Sequence, residues 1–503
     1  FVTASAAFSQ GLDLEVLKQI DALIEKGISN KRMPGGVLHL EHREAIYQKS
    51  YGNRQLLPEI EKASKETIYD LASLTKVVAT TPAVMKLIEG GAIELDAPAQ
   101  RYLPELSGDS NKPKITVRHL LTHTSGLAAG VRRGYEWSGS KDGFALAAGE
   151  PSRGLAGFSY QYSDLNFILL GEIVARVAGI PLQEYCWKEI FLPLGMNETF
   201  FLPDPKLKGR SAPATLREDG SLLRGIVHDP TSRRMGGVAG HAGLFSTADD
   251  LACFARMLLN GGGGILKPET ISLMTSVQSP ANIESRRGLG FDIDSTYSSL
   301  RGEWFPKGSF GHTGWTGTSM WIDPTSESFV IFLSNRNHPS GGDVIALRKD
   351  LGTLAAKATG FDFSTVKKLL PEVVPKSPRF PDVLNGIDVL ERDQFAALEG
   401  LRVGLITNQT GTNQKGVTTI DLLHRSHRVD LKLLFGPEHG IRGTLDDKVE
   451  DGVDDKTKLP VVSLYAGEDR RKPKTEHLAE VDALVFDMQD IGTRFYTFIS
   501  TMG

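Results

Sequence analysis

From Gly36 to about Leu56 apolar and polar positions alternate, as in "GGVLHLEHREAIYQKSYG", with charged residues near the middle. A period of two with a charged centre predicts a β-hairpin at the start of a first domain. The spacing changes to helical over residues 73–90 and 164–179. In the second of these, "DLNFILLGEIVARVAG" opens on an aspartate expected to cap the helix and closes on a glycine. "TADDLACFARMLLNGG" predicts another helix, capped by Thr247. Strand patterning returns over residues 286–336 in "GLGFDID", "SFGHTG", "SMWIDP" and "SFVIFLSNR", and a last helix is expected over about 342–358. Helices in the middle with strands at both ends imply an α+β domain whose sheet is closed by sequence-distant strands.

Beyond this domain Pro371, Pro375, Pro378 and Pro381 crowd into eleven residues, which predicts an extended, semi-rigid linker. The pattern then becomes strand, loop, helix, strand: "LRVGLITNQTG", "TTIDLLHRS", "VDLKLLFGPEHG", "ALVFDMQDIG". Short apolar strands alternating with helical stretches predict βαβ units on a parallel sheet. The expected organisation is therefore a first domain over residues 11–362, a Pro-rich linker over 363–383 and a second α/β domain over 384–503, cut short at Gly503 inside a structured run.

Composition narrows the function classes. A chain of 503 residues is long enough for at least two cores. With 57 Lys and Arg against 61 Asp and Glu, the net charge of −4 leaves no basic footprint for nucleic acid. No run of about 20 apolar residues predicts a transmembrane helix. The first ten residues, "FVTASAAFSQ", read either as the end of a secretory signal or as an apolar tail. Cys186 and Cys253 sit in helical apolar patterns and read as core, with neither a disulfide framework nor a metal spacing. His119 and His123 stand four apart in "HLLTH", but no Glu lies between them, so no metal site and no cofactor is expected.

Chemistry enters at "YDLASLTKVV", where Ser73 and Lys76 are three apart at a strand-to-helix junction. That spacing puts both side chains on one helical face. A serine hydroxyl becomes a nucleophile only if a base takes its proton, and a lysine serves only if its surroundings lower its affinity for the proton. Alone, the spacing is common by chance and the pair reads first as a helix-start serine and a solvated lysine. Two further stretches add to it: "YSD", Tyr162-Ser163-Asp164 with Asn166 beyond, offers a phenol that could act as a base, and "GHTGWTGT" carries His312, Thr313 and Gly314 between strands. Small residues there leave a strand edge open to substrate, and a following N–H could hold an oxyanion. Trp304 and Trp315 read as groove or core, and His241 of "GHAGLFS" as a loop residue near the site.

Ser73-Leu74-Thr75-Lys76, Tyr162-Ser163-Asp164 and His312-Thr313-Gly314, in this order, resemble the three motifs of the serine β-lactamase and penicillin-binding-protein superfamily. The likeness is to its class C branch, which includes D-alanyl-D-alanine carboxypeptidases and esterases. "ITVRHLLTHTSGL", "IFLPLGMNETFF" and "GHAGLFSTADDLACFARMLL" agree with it over roughly residues 15–360. The resemblance implies a β-lactamase/transpeptidase-like fold, an antiparallel sheet with a helical subdomain. It implies that Ser73 is the nucleophile, that Lys76 and Tyr162 share the base work, and that His312 holds a substrate carboxylate or relays protons. Asp164, Asn166, Thr313, Gly314 and Trp315 would contact substrate, and the N–H groups of Ser73 and Trp315 would form the oxyanion hole. Asp164 stands where Asn is usual and His312 where β-lactamases usually have Lys, so the chain leans towards a peptidase or esterase.

In the second domain "FGPEHG" and "FDMQDIGTRFYT", with "GIDVL", "RVGLITNQTG" and "LPVVSLY", resemble the Rossmann-like N-terminal part of the NamZ-type exo-β-N-acetylmuramidases. The resemblance implies Glu438 as the catalytic group, with Asn408, Gln409, Asp487 and Asp490 around it. By pattern alone, His439, Gln489 and Arg494 of the same stretches read equally as salt-bridged loop residues. Both likenesses imply one polymer: a periplasmic or secreted bacterial protein of peptidoglycan turnover, with a small-molecule or muropeptide substrate. The oligomeric state is left open. A carboxylesterase on small acylated substrates, or a binding module that kept the fold and lost the chemistry, are the competing expectations.

Overall fold

The computed structural model describes residues 11–107, 112–132, 134, 136–217, 219–365, 384–413, 416–436, 441–442, 450–464 and 473–488. The chain forms two compact units, residues 1–377 and 378–503.

The first unit is built on an antiparallel sheet of Gly35–His42 (β1), Ala45–Gln55 (β2), Glu61–Lys62 (β3), Arg286–Arg287 (β4), Asp292–Asp294 (β5), Phe310–Thr313 (β6), Ser319–Asp323 (β7) and Ser328–Ser334 (β8). Their order is β3-β2-β1-β8-β7-β6-β5-β4, so the N-terminal hairpin closes on the C-terminal meander through β1 and β8. Every residue of β1 and β8 is buried, because the sheet is covered on both faces. The period of two divides the side chains: Leu38, Leu40, Trp321, Val330 and Phe332 join one core, and Val37, Met320, Ile322, Phe329, Ile331 and Leu333 the other. The first core is closed by helices Leu14–Ser29 (α1) and, at the end of the unit, Ile345–Ala358. The second contains the helical subdomain, including Thr81–Glu89 (α2), Asp164–Ala178 (α3) and Ala248–Leu259 (α4). Ile345–Ala358 is α5.

Two expected helices differ in detail. Residues 73–90 are not one α-helix: a 3-10 turn over Ala72–Leu74 and a π turn over Lys76–Thr80 precede α2. Pro82 has no N–H for the i−4 carbonyl, so the ladder widens there before the α-helix settles. In α3 Asp164 is the first helical residue and not the cap; Ser163 holds the cap position in an extended conformation, with its hydroxyl donated to the Ala128 carbonyl at 2.5 Å. Thr247 does cap α4, accepting the Asp250 N–H. Among the described residues both cysteines are free, Cys186 buried and Cys253 partly so, and no single helix is long and apolar enough to cross a membrane.

The second unit has a sheet of Arg402–Thr407 (β9), Asp430–Gly436 (β10), Gly452–Val453 (β11), Pro460–Ser463 (β12) and Ala483–Asp487 (β13) in the order β11-β12-β10-β9-β13. β9, β10, β12 and β13 pair in parallel, as the βαβ patterning predicts. The expected linker lies, from residue 366 onwards, outside the described residues.

Candidate active site

The turn that carries Ser73 is fixed from several sides. After the short strand Tyr69–Asp70, Ala72 adopts φ +47°, a left-handed conformation that an alanine holds only under constraint. The constraint is the Asp70 carboxylate, which accepts the Ala72 N–H at 2.8 Å and, on its other oxygen, the His228 N–H at 2.6 Å. Thr316 donates its hydroxyl to the Asp70 carbonyl at 2.7 Å, and Thr318 to the Leu71 carbonyl at 3.0 Å. These bonds tie the turn to the β6–β7 connection. Gly314 lies in that connection, and a Cβ there would stand 2.1 Å from Thr318 Oγ1 and 2.4 Å from the Leu71 carbonyl oxygen. Only glycine allows this close approach.

Ser73 is thereby half-buried beside a cavity of about 510 Å³ whose walls include Tyr162, Arg287, His312, Thr313, Trp315 and Ile345. Lys76 is fully buried beneath it. Its ammonium lies 3.1 Å from Ser73 Oγ, 2.9 Å from the His241 carbonyl and 2.7 Å from Asp164 Oδ1, with the Tyr162 side chain adjoining. Burial opposes the charge, but the Asp164 carboxylate and the adjoining Tyr162 outweigh it and hold the lysine above its ordinary value. The lysine is therefore an ammonium in the free protein. The Tyr162 ring centroid lies 5.1 Å from Nζ and 4.4 Å from the His123 ring, on which it stacks.

His312 is buried, with Nδ1 donating to the Thr313 carbonyl at 2.8 Å. Burial and then the charges of Arg287 and Lys76 push this imidazole well below its ordinary value, so it is neutral near pH 7 and faces its neighbours with the lone pair of Nε2. A neutral acceptor cannot supply a fixed positive charge for a carboxylate. The cations along the cavity are Arg287, Arg336 and Arg348; the Arg336 guanidinium stacks 4.7 Å from the centre of the exposed Trp315 ring.

Other expected site residues fall elsewhere. Asn166 is fully buried, accepting from Ser125 at 2.6 Å and lying 3.3 Å from His123 Nδ1, so it braces the motif from behind. Trp304 is on the surface under Lys357 and away from the cavity. His119 and His123 each use Nδ1 to accept a backbone N–H, from Thr116 and Ser163. Among the described residues, Asp164, Asp229 and His241 alone have a metal-ligand spacing, and the Lys76 ammonium already answers the charge of Asp164. The patterning left four groups without a role: Asp70, His123, Asp229 and Arg287. His123, Asp229 and Arg287 lie far in sequence from Ser73, whereas Asp70 stands three residues before it; Asp70 and His123 both stood in stretches that the motif search singled out.

In the second unit Asn408 and Asp487 stand at the carboxyl ends of the adjacent parallel strands β9 and β13. Asn408 Oδ1 accepts from the Thr410 N–H and hydroxyl, and Thr419 donates to the Asp487 carboxylate. Burial pushes the Asp487 carboxyl up. Gln409 is exposed beside them. Glu438 and Asp490, with His439, Gln489 and Arg494, lie outside the described residues.

The Beta-lactamase family model matches residues 20–354, and the model for the N-terminal region of exo-beta-N-acetylmuramidase NamZ matches 403–503. A protein of Escherichia coli (strain K12) named "Putative D-alanyl-D-alanine carboxypeptidase" is 31% identical over 383 residues, covering 68% of this chain and 87% of its own. Among solved structures, unliganded simvastatin synthase from Aspergillus terreus shares the fold with a TM-score of 0.58 at 23% identity, over 69% of this chain and 100% of its own. The octameric penicillin-binding protein homologue from Pyrococcus abyssi does so with a TM-score of 0.54 at 24% identity, over 68% of this chain and 79% of its own. With most of its length matched in this way, the chain belongs to the Beta-lactamase family and is a serine hydrolase of that family, carrying a NamZ-type N-terminal region behind it.

Proposed function

We propose that the first unit hydrolyses peptidoglycan-derived peptides through an acyl-enzyme on Ser73, releasing a terminal D-alanine in cell-wall turnover, in the periplasm or outside the cell. One observation carries this reading: Ser73 Oγ stands 3.1 Å from the buried Lys76 Nζ, beside a cavity bounded by Thr313 at the end of β6 and Gly314 just beyond it. β6 meets β5 only at Gly311, so the edge beyond it is open to an extended peptide. In this reaction Ser73 Oγ attacks the carbonyl carbon, the N–H groups of Ser73 and Trp315 take the developing oxyanion, and water later releases the acyl group. The name borne by the Escherichia coli relative supports the same substrate class. The second unit, whose parallel sheet we take as Rossmann-like, would direct the protein to the same polymer through a terminal N-acetylmuramic acid, with Asn408, Gln409, Asp487 and Asp490 around Glu438.

The test is intact-mass spectrometry after mixing with a penicillin. The parent is expected to gain the mass of the opened drug on the peptide carrying Ser73, and Ser73→Ala none. Absence of both an adduct and penicillin hydrolysis in the parent would refute the acyl-enzyme reading for this substrate class.

A carboxylesterase on small acylated substrates is the second reading, and the apolar cavity wall favours it. Trp315 and Ile345 are exposed at 66% and 62%, and His312 carries no charge where a carboxylate-holding lysine would stand. Turnover of a p-nitrophenyl ester without release of D-alanine from a muropeptide would select it.

A further inference from the structure

The Lys76 ammonium lies within 3.1 Å of three oxygens, those of Ser73, the His241 carbonyl and Asp164, and Tyr162 adjoins it. The ammonium has no lone pair for the Ser73 proton unless it gives one of its own away. Of these three oxygens only that of Asp164 is anionic, and at 2.7 Å it is also the nearest. Moving the Ser73 proton into this pair leaves Lys76 charged and Asp164 neutral, which adds one positive charge to a buried place. A second carboxylate answers that charge. Asp164, Asp229 and His241 each bring one oxygen or ring nitrogen to within 4.8 Å of the others. Asp229 Oδ1 lies 2.9 Å from His241 Nε2 and accepts the Ser232 N–H at 2.7 Å, so its position is fixed, and His241 is 99% buried with Nδ1 unpartnered.

We propose that Ser73 passes its proton through Lys76 to Asp164, and that Asp229, oriented by His241, is the positioning residue whose negative charge makes this uptake favourable. The inference rests on Ser73 being the nucleophile and is indifferent to whether the substrate is a peptide or an ester. In the acylation step the Oγ–carbonyl bond forms and the Oγ–H bond breaks. Lys76 takes that proton while giving one of its own to Asp164; the bond from the carbonyl carbon to the leaving nitrogen or oxygen then breaks as that atom collects the proton by the reverse path.

The other titratable and charged groups that face the cluster are few. Tyr162 adjoins Lys76, and His123 and His312 lie near enough to feel its charge; burial keeps both imidazoles neutral. Arg287 acts on both histidines. On the Asp229 side stand Asp70, His228 and Arg233. Burial would raise the Asp229 carboxyl, yet the His241 contact, the Ser232 N–H and the Lys76 charge together keep it ionised.

The test is the rate at which a fluorophosphonate labels Ser73 in the whole protein, measured from pH 4 to 9. The probe needs only an activated serine: the Oγ–P bond forms, fluoride leaves, and the hydroxyl proton must enter the Lys76–Asp164 pair. Asp229→Asn is expected to slow labelling by about tenfold and to move the acid limb of the profile down by about one pH unit, because less negative potential holds the proton on the pair. His241→Gln leaves Asp229 less shielded and should move that limb up, whereas Asp229→Glu, which keeps the charge, should restore the parent limb. The His241 carbonyl bond to Lys76 is backbone and survives all three changes. Unlabelled Ser73 in the parent would overturn the nucleophile assignment. Labelled parent with coincident limbs, or with both variants shifted the same way, would overturn the relay alone.

Discussion

Single residues at this site are decided by close approach and by charge. Gly314 is the sharpest case of the first, since a methyl group would meet the Leu71 carbonyl oxygen at 2.4 Å. Gly314→Ala must push the nucleophile turn away from β6. We expect kcat/KM on a p-nitrophenyl ester to fall about 100-fold, because a displacement of this order misaligns the attack. We also expect stability to drop by about 1–3 kcal/mol, as for other overpacked positions. An unchanged kcat/KM would show that the turn relaxes without moving Ser73. In the second case the charged Lys76 can act only through the Ser73 hydroxyl: Ser73→Ala removes the proposed nucleophile and should lower turnover by at least about 1000-fold, with no acyl adduct by mass.

At the scale of elements, the site is where three pieces of chain meet: the turn before α2, the start of α3 and the end of β6. Asp164 reaches Lys76 because it is the first residue of α3, and α3 packs in the same core as α2. Its carboxylate is spent on the lysine and cannot cap the helix. At the start of α4 the residue before the helix does cap it, the Thr247 hydroxyl accepting the Asp250 N–H. Thr247→Ala should cost about 1 kcal/mol of stability while leaving the acylation rate within twofold of the parent. Denaturant unfolding followed by tryptophan fluorescence measures the first quantity and fluorophosphonate labelling the second. A large fall in labelling would place α4 in the machinery of the site.

For the molecule as a whole, the buried Asp70 couples site geometry to stability. Burial comes first and the nearby Asp229 charge adds to it; against the two N–H bonds it accepts, they leave its carboxyl pushed up to about 6 from an ordinary 3.8. A carboxyl raised by folding stabilises the fold below its unfolded value, and that contribution is lost as pH rises through about 6. Between pH 4 and 7 the ionisation of Asp70 should cost the first unit about 2 kcal/mol. Asp70→Asn cannot ionise, so its stability relative to the parent should rise by about that amount across this window. All five tryptophans, Trp137, Trp187, Trp304, Trp315 and Trp321, lie in the first unit, so their fluorescence follows this unit alone. A stability difference that does not change with pH would mean that Asp70 ionises as freely folded as unfolded.

The sequence by itself determined the periodic features and the local constellations. Alternation in "GGVLHLEH" and the short unbroken apolar run in "SFVIFLSNR" are properties of neighbouring residues, and they predicted the strands that became β1 and β8. Ser73 and Lys76, three apart, needed only a helical turn to meet. The family resemblance named Tyr162 and His312 as their companions. Only the tertiary structure decided the charge of Lys76, because that depends on Asp164, 88 positions later, arriving at 2.7 Å in a buried place. It also decided that His312 is neutral, that Asn166 braces the motif from behind, and that Asp70, Asp229 and His241 stand close enough to act on the site. Burial and through-space charge depend on distance in the folded chain, and no local pattern of residues carries that distance.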